Sequence, residues 1–583
     1  MSDKIWRLLP PTDEAGKLAD KTDISLLKAR LLINRGITGR EEAESFLYPK
    51  LSNLSDPMLL KDMEESTDLI ISVIEQQEKI AVYGDYDADG LTSTALLVNF
   101  FTDLGIPVSY YIPDRIEEGY SLNPEAIHKL AENGVKLIIT VDCGISNSKE
   151  IKLAQSLGIK MVVTDHHQIP EDFSPLCPVI NPHHSDSRFP FRSLAGVGVA
   201  FFLAAGIRAR IRERGWFKYA SEPDLRQYLD IVALGTIADM APLNGENRIL
   251  VTAGIEAMKI SRWFGIEAMK KICGIDNRDI SSGDIAFKLA PRLNAPGRIG
   301  DNITGITALI TDNYSVAVNT ARELNRMNSE RQMIEGKIID DIEENILPEM
   351  DILNQKTILL SKPGWHKGVL GIVASRLLDK YHRPTIILTI KDGVAVGSGR
   401  SIDGFNIHEA MTELKDLFIK FGGHYHAAGC TLDVNNIDAL SRGIEEIAEK
   451  TLSDVDLVPS INVDEEVNLD ELTLETVYDI RPLEPFGAEN PEPVLYSGDL
   501  EILGSRIVGE KHLKLRVRQG QMVHDAIGFN FSDMHPLNGR NVNMVYTPEI
   551  NNWNGNENVQ LRILDIEISG GESRLVRQEI KNH

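Results

Sequence analysis

The fold is decided by the stretch Lys79-Ile80-Ala81-Val82-Tyr83-Gly84-Asp85-Tyr86-Asp87-Ala88-Asp89-Gly90. It begins with a mainly apolar run that suits a buried strand, and it continues with aspartates at alternate positions. Open α/β sheets bind ligands at the carboxyl ends of their strands. We therefore predict a parallel sheet with helices around it, and a cluster of carboxylates at its edge.

Three further segments place acidic or imidazole side chains in a similar setting. They are Val141-Asp142-Cys143-Gly144 after the run 137–141, Thr164-Asp165-His166-His167 after the run 160–164, and Ala238-Asp239-Met240. Alone, an Asp-x-Asp-Gly segment is more often a polar turn, and a His-His pair is usually solvated or capping. Because four segments share one context, we predict that they meet in one site.

The side chains in these four segments indicate divalent metal ions. Several carboxylates in one crevice raise each other's pKa unless a cation neutralises them. Carboxylate oxygens with one or two imidazole nitrogens suit Mg²⁺ or Mn²⁺, and the lack of thiolate clusters in the sequence argues against structural zinc. Two such ions, about 3.5–4 Å apart, would activate a water molecule and stabilise the leaving oxygen of a phosphoester. The sequence therefore predicts metal-dependent phosphoester hydrolysis.

Length and composition are typical of a large enzyme with several domains. The 583 residues suggest three or four domains of about 150 residues each, and 42% hydrophobic residues can form several cores. No stretch has the length of a membrane span, and the segment Met1–Arg7 lacks the apolar core of a signal peptide. Four dispersed cysteines form no evident disulfide framework, so we predict a reducing, cytoplasmic location without membrane association.

The net charge of −25 argues against a uniformly basic, nucleic-acid-binding surface. Part of the acidity belongs to the predicted metal site, and more lies in exposed helical segments such as Asp340-Asp341-Ile342-Glu343-Glu344. Phosphate binding depends on local lysine and arginine contacts rather than on total charge. We predict a bipolar surface with a local basic groove.

Changes in sequence pattern divide the chain into five predicted regions. They are a mainly helical lead-in (1–75), a domain of alternating strands and helices (76–310), a long helix (311–350), a smaller domain (351–453) and a strand-rich domain (454–583). Apolar residues at helical spacing and Pro348 just beyond them indicate the long helix. An ordinary surface helix is the alternative for this region.

Two glycine-rich turns in the smaller domain are candidates for phosphate binding. Gly397-Ser398-Gly399-Arg400 and Gly422-Gly423-His424 would let backbone amides approach a phosphate closely. Ser398 offers a hydroxyl group and Arg400 a bidentate cation. On the residues alone, turns with a purely structural role are the favoured interpretation, and phosphate binding is the alternative.

Alternation in the last domain predicts a strand with one basic face. Lys514, Arg516 and Arg518 would share one face, while the apolar residues between them face the other way. Such a strand suits an oligonucleotide-binding barrel that follows a single-strand backbone. A solvated edge strand with gatekeeping charges is the alternative.

Several of these motifs resemble the DHH phosphoesterase superfamily. Asp165-His166-His167, with the aspartates before it and Gly235-Thr236-Ile237-Ala238-Asp239-Met240 after it, carries the resemblance. Residues 291–298, 364–377, 397–401 and 421–429 extend it over nearly the whole chain, towards the superfamily's single-strand-specific DNA exonucleases. The resemblance implies an α/β fold with a parallel-sheet DHH domain, a long helix, a smaller α/β DHHA1 domain and a C-terminal OB-type β-barrel. It also implies that DNA passes through a cleft between the DHH and DHHA1 domains.

The resemblance assigns expected roles to the residues of the metal site. It implies the metal ligands Asp87, Asp89, Asp142, His166 and Asp239. Asp142 is the expected bridge between two ions, and Asp85, Asp142 and His167 are the expected catalytic residues. Many relatives have a histidine four residues before the first ligand aspartate, but Tyr83 stands there in this chain. The ligand that replaces this histidine is left open, with Asp85 as the candidate.

The resemblance also implies a set of substrate-binding residues. They are Arg115, Arg292, Arg298, Ser398, Arg400, His424, Lys514, Arg516 and Arg518. Among them, the segment with Ser398 and Arg400 resembles the family's end-binding motif, and Arg115 resembles another arginine that the family uses at the 5′ end of the strand.

The expected activity is 5′-to-3′ exonucleolytic hydrolysis of single-stranded DNA in repair and recombination, with two Mn²⁺ or Mg²⁺ ions. Single-strand-binding protein and a RecQ-type helicase are candidate partners, and the direction and pathway come from the resemblance alone. The enzymatic alternative is a nanoRNase or cyclic-dinucleotide phosphodiesterase. The alternative from another class is a non-catalytic DNA-binding scaffold. Metal preference, RNA tolerance, processivity and oligomeric state are not decided by the sequence.

Overall fold

The computed structural model describes residues 4–115, 118–119, 121–171, 173–218, 220–553, 555–570 and 574–577. The chain divides into two compact units. The parallel-sheet unit comprises Ser45–Gln332 and Glu484–Pro491, and the split unit comprises Met1–Glu44, Met333–Leu483 and Glu492–His583. The boundaries predicted at residues 75, 310, 350 and 453 stay predictions.

The strands and helices are numbered in chain order. The strands are β1 Ile5–Leu8, β2 Lys79–Tyr83, β3 Val108–Tyr111, β4 Val135–Val141, β5 Lys160–Thr164, β6 Val179–Ile180, β7 Ile358–Pro363, β8 Thr385–Lys391, β9 Val394–Arg400, β10 Phe418–His424, β11 Ala427–Asp433, β12 Ser460–Val463, β13 Glu465–Glu466, β14 Leu495–Val508, β15 His512–Gln519, β16 Met522–Gly528, β17 Asn541–Trp553, β18 Asn556–Ile568 and β19 Leu575–Arg577. The α-helices are α1 Asp13–Thr22, α2 Leu26–Ile33, α3 Arg40–Leu47, α4 Met63–Glu75, α5 Ala88–Asp103, α6 Pro124–Glu132, α7 Ser148–Ser156, α8 Gly196–Glu213, α9 Leu229–Ala238, α10 Gly245–Met258, α11 Phe264–Ile272, α12 Ser282–Asp284, α13 Ala290–Ile299, α14 Thr304–Ile310, α15 Tyr314–Asn345, α16 Leu370–Tyr381, α17 Ile407–Glu413, α18 Ile437–Thr451 and α19 Leu474–Ile480.

The parallel-sheet unit contains a sheet with the strand order β3-β2-β4-β5-β6, in which every pairing is parallel. Alternate residues of β2 enter different cores, because successive side chains of a strand point to opposite faces. Ile80 and Val82 pack with residues of α4 and α5, while Ala81 and Tyr83 pack with residues of α6 and α7. Since the strands are parallel, their carboxyl ends lie at one edge, as the sequence predicted.

The split unit contains a mixed sheet with the strand order β10-β11-β9-β8-β7. Only the β7–β8 pairing is parallel, and the other pairings of this sheet are antiparallel. Its register aligns His424 with Ala427, Ala427 with Arg400, and Arg400 with Thr385 across four neighbouring strands. Helix α15, which has 32 residues, is the long helix that the sequence predicted.

The C-terminal barrel closes when β14 pairs with both β15 and β17, in the cyclic order β14-β15-β16-β18-β17. Leu513, Leu515 and Val517 of β15 are buried in its core. The alternation of β15 therefore has the predicted inner, apolar face, and the OB-type barrel is confirmed.

The lead-in contains a strand that the helical pattern did not predict. Helices α1–α3 are present, but β1 pairs in parallel with β12 and with β19. Trp6 at its centre is fully buried, and its Nε1 donates a hydrogen bond to Asp565 Oδ2 at 2.9 Å. A strand of four residues whose partners lie more than 450 positions away shows no local signal. Among the described residues, none of the helices combines the length and the apolar character that a membrane span requires.

Candidate metal centre

The first three aspartates lie in the turn after β2 and in the first turn of α5. Asp87 caps α5, because its Oδ1 accepts hydrogen bonds from the backbone N–H groups of Asp89 and Gly90, each at 3.0 Å. A Cβ atom on Gly90 would lie 2.6–2.7 Å from the backbone of Asp85. Glycine at this position therefore lets the start of α5 pack directly against the backbone that carries the Asp85 carboxylate.

The start of α8 holds Asp89 in place. The backbone N–H of Gly196 donates to Asp89 Oδ2 at 2.6 Å, and that of Val197 donates to Asp89 Oδ1 at 2.8 Å. These groups lie at the positive end of the α8 dipole, which favours the ionised carboxylate. A Cβ atom on Gly196 would lie 2.9 Å from both Asp89 Oδ2 and the Asp142 Cβ. The sequence analysis missed Gly196, whose role depends on a contact between distant segments.

Asp142 and His166 lie at the centre of the cluster. Asp142 directly follows β4 and has a φ of 59°, in the left-handed region that non-glycine residues rarely adopt. His166 Nε2 lies 3.1 Å from Asp142 Oδ1 and 3.8 Å from Asp89 Oδ2, while its Nδ1 lies 3.9 Å from Asp239 Oδ2. The imidazole thus reaches carboxylates from three of the four predicted segments.

The described residues contain three groups of possible metal ligands whose donor atoms lie within 4.8 Å of one another. They are Asp85, Asp87 and Asp142; Asp89, His166 and Asp239; and Asp142, His166 and His167. All seven residues predicted for the site are brought together. Asp142 and His166 each belong to two groups, which is the arrangement needed for a ligand shared between neighbouring ions.

The electrostatics of the cluster favour a cation. Burial is the main cause that raises the pKa of Asp85 and of Asp142, and nearby carboxylates raise both further. Burial and the Asp89 carboxylate raise the pKa of Asp239 to about 7. Within the described chain, the buried Asp85 Oδ1 accepts no hydrogen bond. A divalent ion would neutralise these carboxylates, and its ligands would be the oxygen-rich set that Mn²⁺ and Mg²⁺ prefer.

His166 responds to the same carboxylates in the opposite sense. Burial alone would lower its pKa, but Asp89 and Asp239 outweigh burial, so that the pKa of His166 is raised. Without a cation the imidazole of His166 therefore holds its proton more tightly, and a metal ion held by His166 would displace that proton.

Asp165 orients His167, a role that the sequence analysis did not assign. Its Oδ1 contacts His167 Nδ1 at 2.7 Å and accepts the backbone N–H groups of His166 at 2.8 Å and His167 at 3.1 Å. Its Oδ2 accepts the backbone N–H of Ile145 at 2.9 Å. Although burial opposes ionisation, the hydrogen bond from His167 helps to lower the pKa of Asp165. Asp165 is therefore an ionised anchor that fixes the imidazole ring.

Replacing Asp165 with asparagine is expected to lower the turnover rate about 10- to 100-fold, the usual loss when the partner of a functional histidine is removed. The structural reason is that an amide no longer fixes the ring orientation of His167. The measurement is single-turnover hydrolysis of single-stranded DNA with Mn²⁺. Asp186→Asn, in an exposed loop, is the matched control. Equal rates for the Asp165 variant and wild type would refute this role.

Tyr83 points away from the metal-ligand cluster. Its hydroxyl donates to Ser121 O at 3.1 Å and accepts from Asn123 Nδ2 at 3.2 Å, and its ring stacks on Tyr111. The ring therefore belongs to the core on the α6–α7 face of the sheet. Asp85 shares a possible ligand group with Asp87 and Asp142, which supports it as the replacement for the missing histidine.

Arg115 and Arg298 lie near the cluster, whereas Arg292 has structural partners. The Arg115 guanidinium carbon lies 5.0 Å from the Tyr86 ring centroid. Burial raises the pKa of Tyr86, and the positive charges of Arg115 and Arg298 oppose this rise. Arg292 donates to Asn325 Oδ1 at 3.0 Å and to Lys288 O at 2.7 Å. The substrate-binding roles of these arginines stay predictions.

The segments predicted as glycine-rich turns are strands: Ser398 and Arg400 lie in β9, and His424 ends β10. The side chains of Ser398 and Arg400 reach the start of α16. A Cβ atom on Gly371, in the first turn of α16, would lie 2.9 Å from Arg400 Nη2 and 3.3 Å from Ser398 Oγ. A helix N-terminus with a guanidinium and a hydroxyl beside it suits an anion. His424 is exposed and lies two strands from Arg400 in the sheet register.

The basic face of β15 is partly neutralised. Lys514 Nζ lies 3.0 Å from Asp525 Oδ2, and Arg518 Nε donates to Glu501 Oε2 at 2.9 Å. Lys514 and Arg516, together with Arg506, line a groove of about 1080 Å³ on the barrel. Arg516 and Arg506 supply its guanidinium groups, while the Arg518 guanidinium pairs with Glu501.

The fold and the site together define a metal-dependent phosphoesterase of the DHH type. Residues 79–236 match the DHH family, N-terminal domain; residues 354–450 match the DHHA1 domain; and residues 463–565 match the RecJ OB domain. These three matches follow the order of the predicted domains along the chain.

Comparison with whole proteins gives the family. The chain is 37% identical over 566 residues to the single-stranded-DNA-specific exonuclease RecJ of Bacillus subtilis (96% of this chain, 70% of that protein). It is 36% identical over 572 residues to RecJ of Escherichia coli (95% and 98%). The crystal structure of Thermus thermophilus RecJ in complex with Mn²⁺ has a TM-score of 0.82 at 30% identity and covers 97% of this chain and 80% of that one. The corresponding Mg²⁺ complex has a TM-score of 0.76 at 29% identity (96% and 78%). The chain belongs to the RecJ family.

Proposed function

We propose that this protein is a 5′-to-3′ exonuclease that hydrolyses the phosphodiester bonds of single-stranded DNA in repair and recombination. The observation that carries the proposal is the cluster of three ligand groups, in which Asp142 belongs to two groups and His166 belongs to two groups. The relatives named as single-stranded-DNA-specific exonucleases support the substrate.

The metal-site residues fit two divalent ions, Mn²⁺ or Mg²⁺. The ligands would be Asp87, Asp89, Asp142, His166 and Asp239, with Asp85 as an additional carboxylate. When bound, such ions supply Lewis-acid stabilisation of the charge that develops on a phosphoryl group. The protein positions the ligands through the hydrogen bonds to Asp87 and Asp89 described above.

His167 is proposed to donate a hydrogen bond to the scissile phosphate. Asp165 holds Nδ1 of this imidazole at 2.7 Å, so the ring orientation is set before substrate binds. The side chain of His167 is 38% exposed, whereas that of Asp142 is almost fully buried. A substrate can therefore reach the imidazole, while Asp142 is confined to the interior of the site.

The remaining candidate residues would bind the strand at its end and along its backbone. We propose that Ser398, Arg400 and the start of α16 bind a phosphate, and that Lys514 and Arg516 bind the strand backbone in the barrel groove. The convergence of Arg400 and Ser398 on one helix N-terminus supports the first role. The groove lined by Arg506, Lys514 and Arg516 supports the second.

Two alternatives fit the chain less well. A nanoRNase or cyclic-dinucleotide phosphodiesterase acts on substrates too short to need a barrel, but this chain matches the RecJ OB domain over residues 463–565. A non-catalytic scaffold has no need of clustered metal ligands, but all four acidic segments converge here. The OB-domain match therefore favours a long single strand as the substrate, and the clustered metal ligands favour hydrolysis over binding alone.

Partners and location follow from the activity. We propose single-strand-binding protein and a RecQ-type helicase as partners, because a single-strand exonuclease acts on strands that have been unwound and coated. We also propose a cytoplasmic location, which the four free cysteines support.

The direct test uses 5′-phosphorylated DNA labelled at the 3′ end, as a single strand, a duplex and a dinucleotide, with Mn²⁺, Mg²⁺ or EDTA. We expect metal-dependent shortening of the single strand from its 5′ end, with much slower attack on the duplex. Cleavage restricted to dinucleotides would support the short-substrate enzyme. Binding without hydrolysis under both metals would support the scaffold.

A further inference from the structure

The short strand β6 brings a further polar segment to the edge of the sheet that carries the metal-ligand groups. β6 pairs in parallel with β5, with Ile180 opposite Thr164. The residues after Ile180 therefore leave the sheet beside Asp165-His166-His167. These residues are Asn181-Pro182-His183-His184. A strand of two residues has no periodicity, so the sequence pattern did not reveal this position.

A buried asparagine fastens this segment to the metal centre. Asn181 has no exposed surface, and its Nδ2 donates to the backbone oxygen of His167 at 2.9 Å. Its Oδ1 accepts the backbone N–H of His183 at 2.8 Å. One rigid side chain thus links His183 to His167 through two hydrogen bonds. His183 is therefore fixed beside the site rather than carried on an independent loop.

The charges around His183 are suited to an anion. Burial lowers the pKa of this half-buried imidazole, and the nearby Arg192 guanidinium lowers it further. Arg192 is exposed. In the described part of the chain, neither His183 nor Arg192 forms an ion pair with a carboxylate. A neutral imidazole N–H and an exposed guanidinium are both hydrogen-bond donors, and together they suit the oxygens of a phosphate.

We propose that His183 and Arg192 bind the substrate phosphate on the 3′ side of the scissile bond. The strand order gives the direction. Arg115, a candidate for the 5′ end, follows β3 at one side of the sheet, and His183 follows β6 at the other side. Between them, the ligand candidates other than Asp239 follow β2, β4 and β5. A strand bound along this edge with its 5′ end near Arg115 continues past His183. This inference rests on the proposed exonuclease function.

The first test compares four full-length variants in single-turnover release of the first nucleotide from a 5′-labelled single strand with Mn²⁺. Arg192→Gln and His183→Asn are expected to lower kcat/KM about tenfold each, the scale of a lost hydrogen bond to a charged group. Arg188→Gln is the control for charge in the same exposed loop. His184→Asn is the control for the neighbouring imidazole, whose Nδ1 accepts the backbone N–H of Asp186. Both controls are expected to match wild type.

The second test locates the phosphate. A neutral methylphosphonate replaces the phosphate between nucleotides two and three, one position 3′ of the scissile bond. In wild type this change is expected to lower kcat/KM about tenfold, and in Arg192→Gln it is expected to have little further effect. Because Arg192 is exposed, this variant should fold normally, which thermal unfolding verifies. The proposal would be overturned if the methylphosphonate lowered kcat/KM as much in Arg192→Gln as it does in wild type.

Different results contradict the exonuclease function and the phosphate-binding role of His183 and Arg192. Wild type that leaves unmodified single strands intact under both metals contradicts the proposed function itself. Active wild type with unchanged rates for Arg192→Gln and His183→Asn overturns only the assignment of these two residues.

Discussion

Replacing Asp142 with asparagine is expected to lower the rate of single-strand hydrolysis about a thousandfold or more. This carboxylate belongs to two of the three ligand groups and lies 3.1 Å from His166 Nε2. Loss of a shared ligand disturbs both proposed ions, and several kcal/mol of transition-state stabilisation correspond to a factor of this size. The measurement is single-turnover hydrolysis with saturating Mn²⁺.

The same substitution is expected to stabilise the metal-free protein by about 1 kcal/mol, since residues selected for function often reduce stability. Burial and four neighbouring aspartates raise the pKa of Asp142, so its ionised form is costly without a cation. Asparagine has nearly the same shape and no charge. The exposed Asp186→Asn variant is expected to change neither the rate of hydrolysis nor the stability of the metal-free protein. A variant that keeps more than a tenth of the wild-type rate would rule out a bridging role for Asp142.

Removal of the metal is expected to abolish hydrolysis and to make stability fall as pH rises from about 4 to about 7. Asp239 has a pKa of about 7 in the folded protein, against 3.8 as the ordinary value. Between these values the folded state holds a proton that the unfolded state has released, so the free energy of unfolding decreases with increasing pH. The raised pKa values of Asp85, Asp89 and Asp142 act in the same direction. Each pKa unit corresponds to about 1.4 kcal/mol.

Thermal unfolding at pH 5, 6, 7 and 8, with EDTA or with Mn²⁺, measures this effect. In EDTA the Tm is expected to decline over the lower part of this range. Since Mn²⁺ competes with protons for the same oxygens, its stabilising effect is expected to grow as pH rises. A metal-free Tm that rises between pH 5 and 7 would mean that the carboxylates do not have raised pKa values.

The sequence was most informative where strand and ligand are adjacent in the chain. Three mainly apolar runs followed by Asp87, Asp142 and His166 were enough to predict a parallel sheet with a metal site at its edge. This works because parallel strands must align their carboxyl ends, so that local order along the chain becomes proximity in space.

The sequence was least informative where a role depends on contacts between distant segments. The hydrogen bonds from the start of α8 to Asp89 join residues more than 100 positions apart, and no local sequence pattern predicts them. Asp165 was visible as part of a motif, but only the three hydrogen bonds to its Oδ1 show that it orients His167. The ion pairs of Lys514 and Arg518 were also hidden, because alternation predicts a face but not its partners.

The sheet β12-β1-β19 has a consequence for the synthesis of the chain. Residues 5–8 are made well before their strand partner at residues 575–577, which follows roughly 570 residues later. At roughly 5–20 residues per second, this interval lasts on the order of one minute. Every ligand of the metal centre is translated during the first half of that interval. The nascent protein therefore carries its metal-binding residues well before the sheet β12-β1-β19 can form.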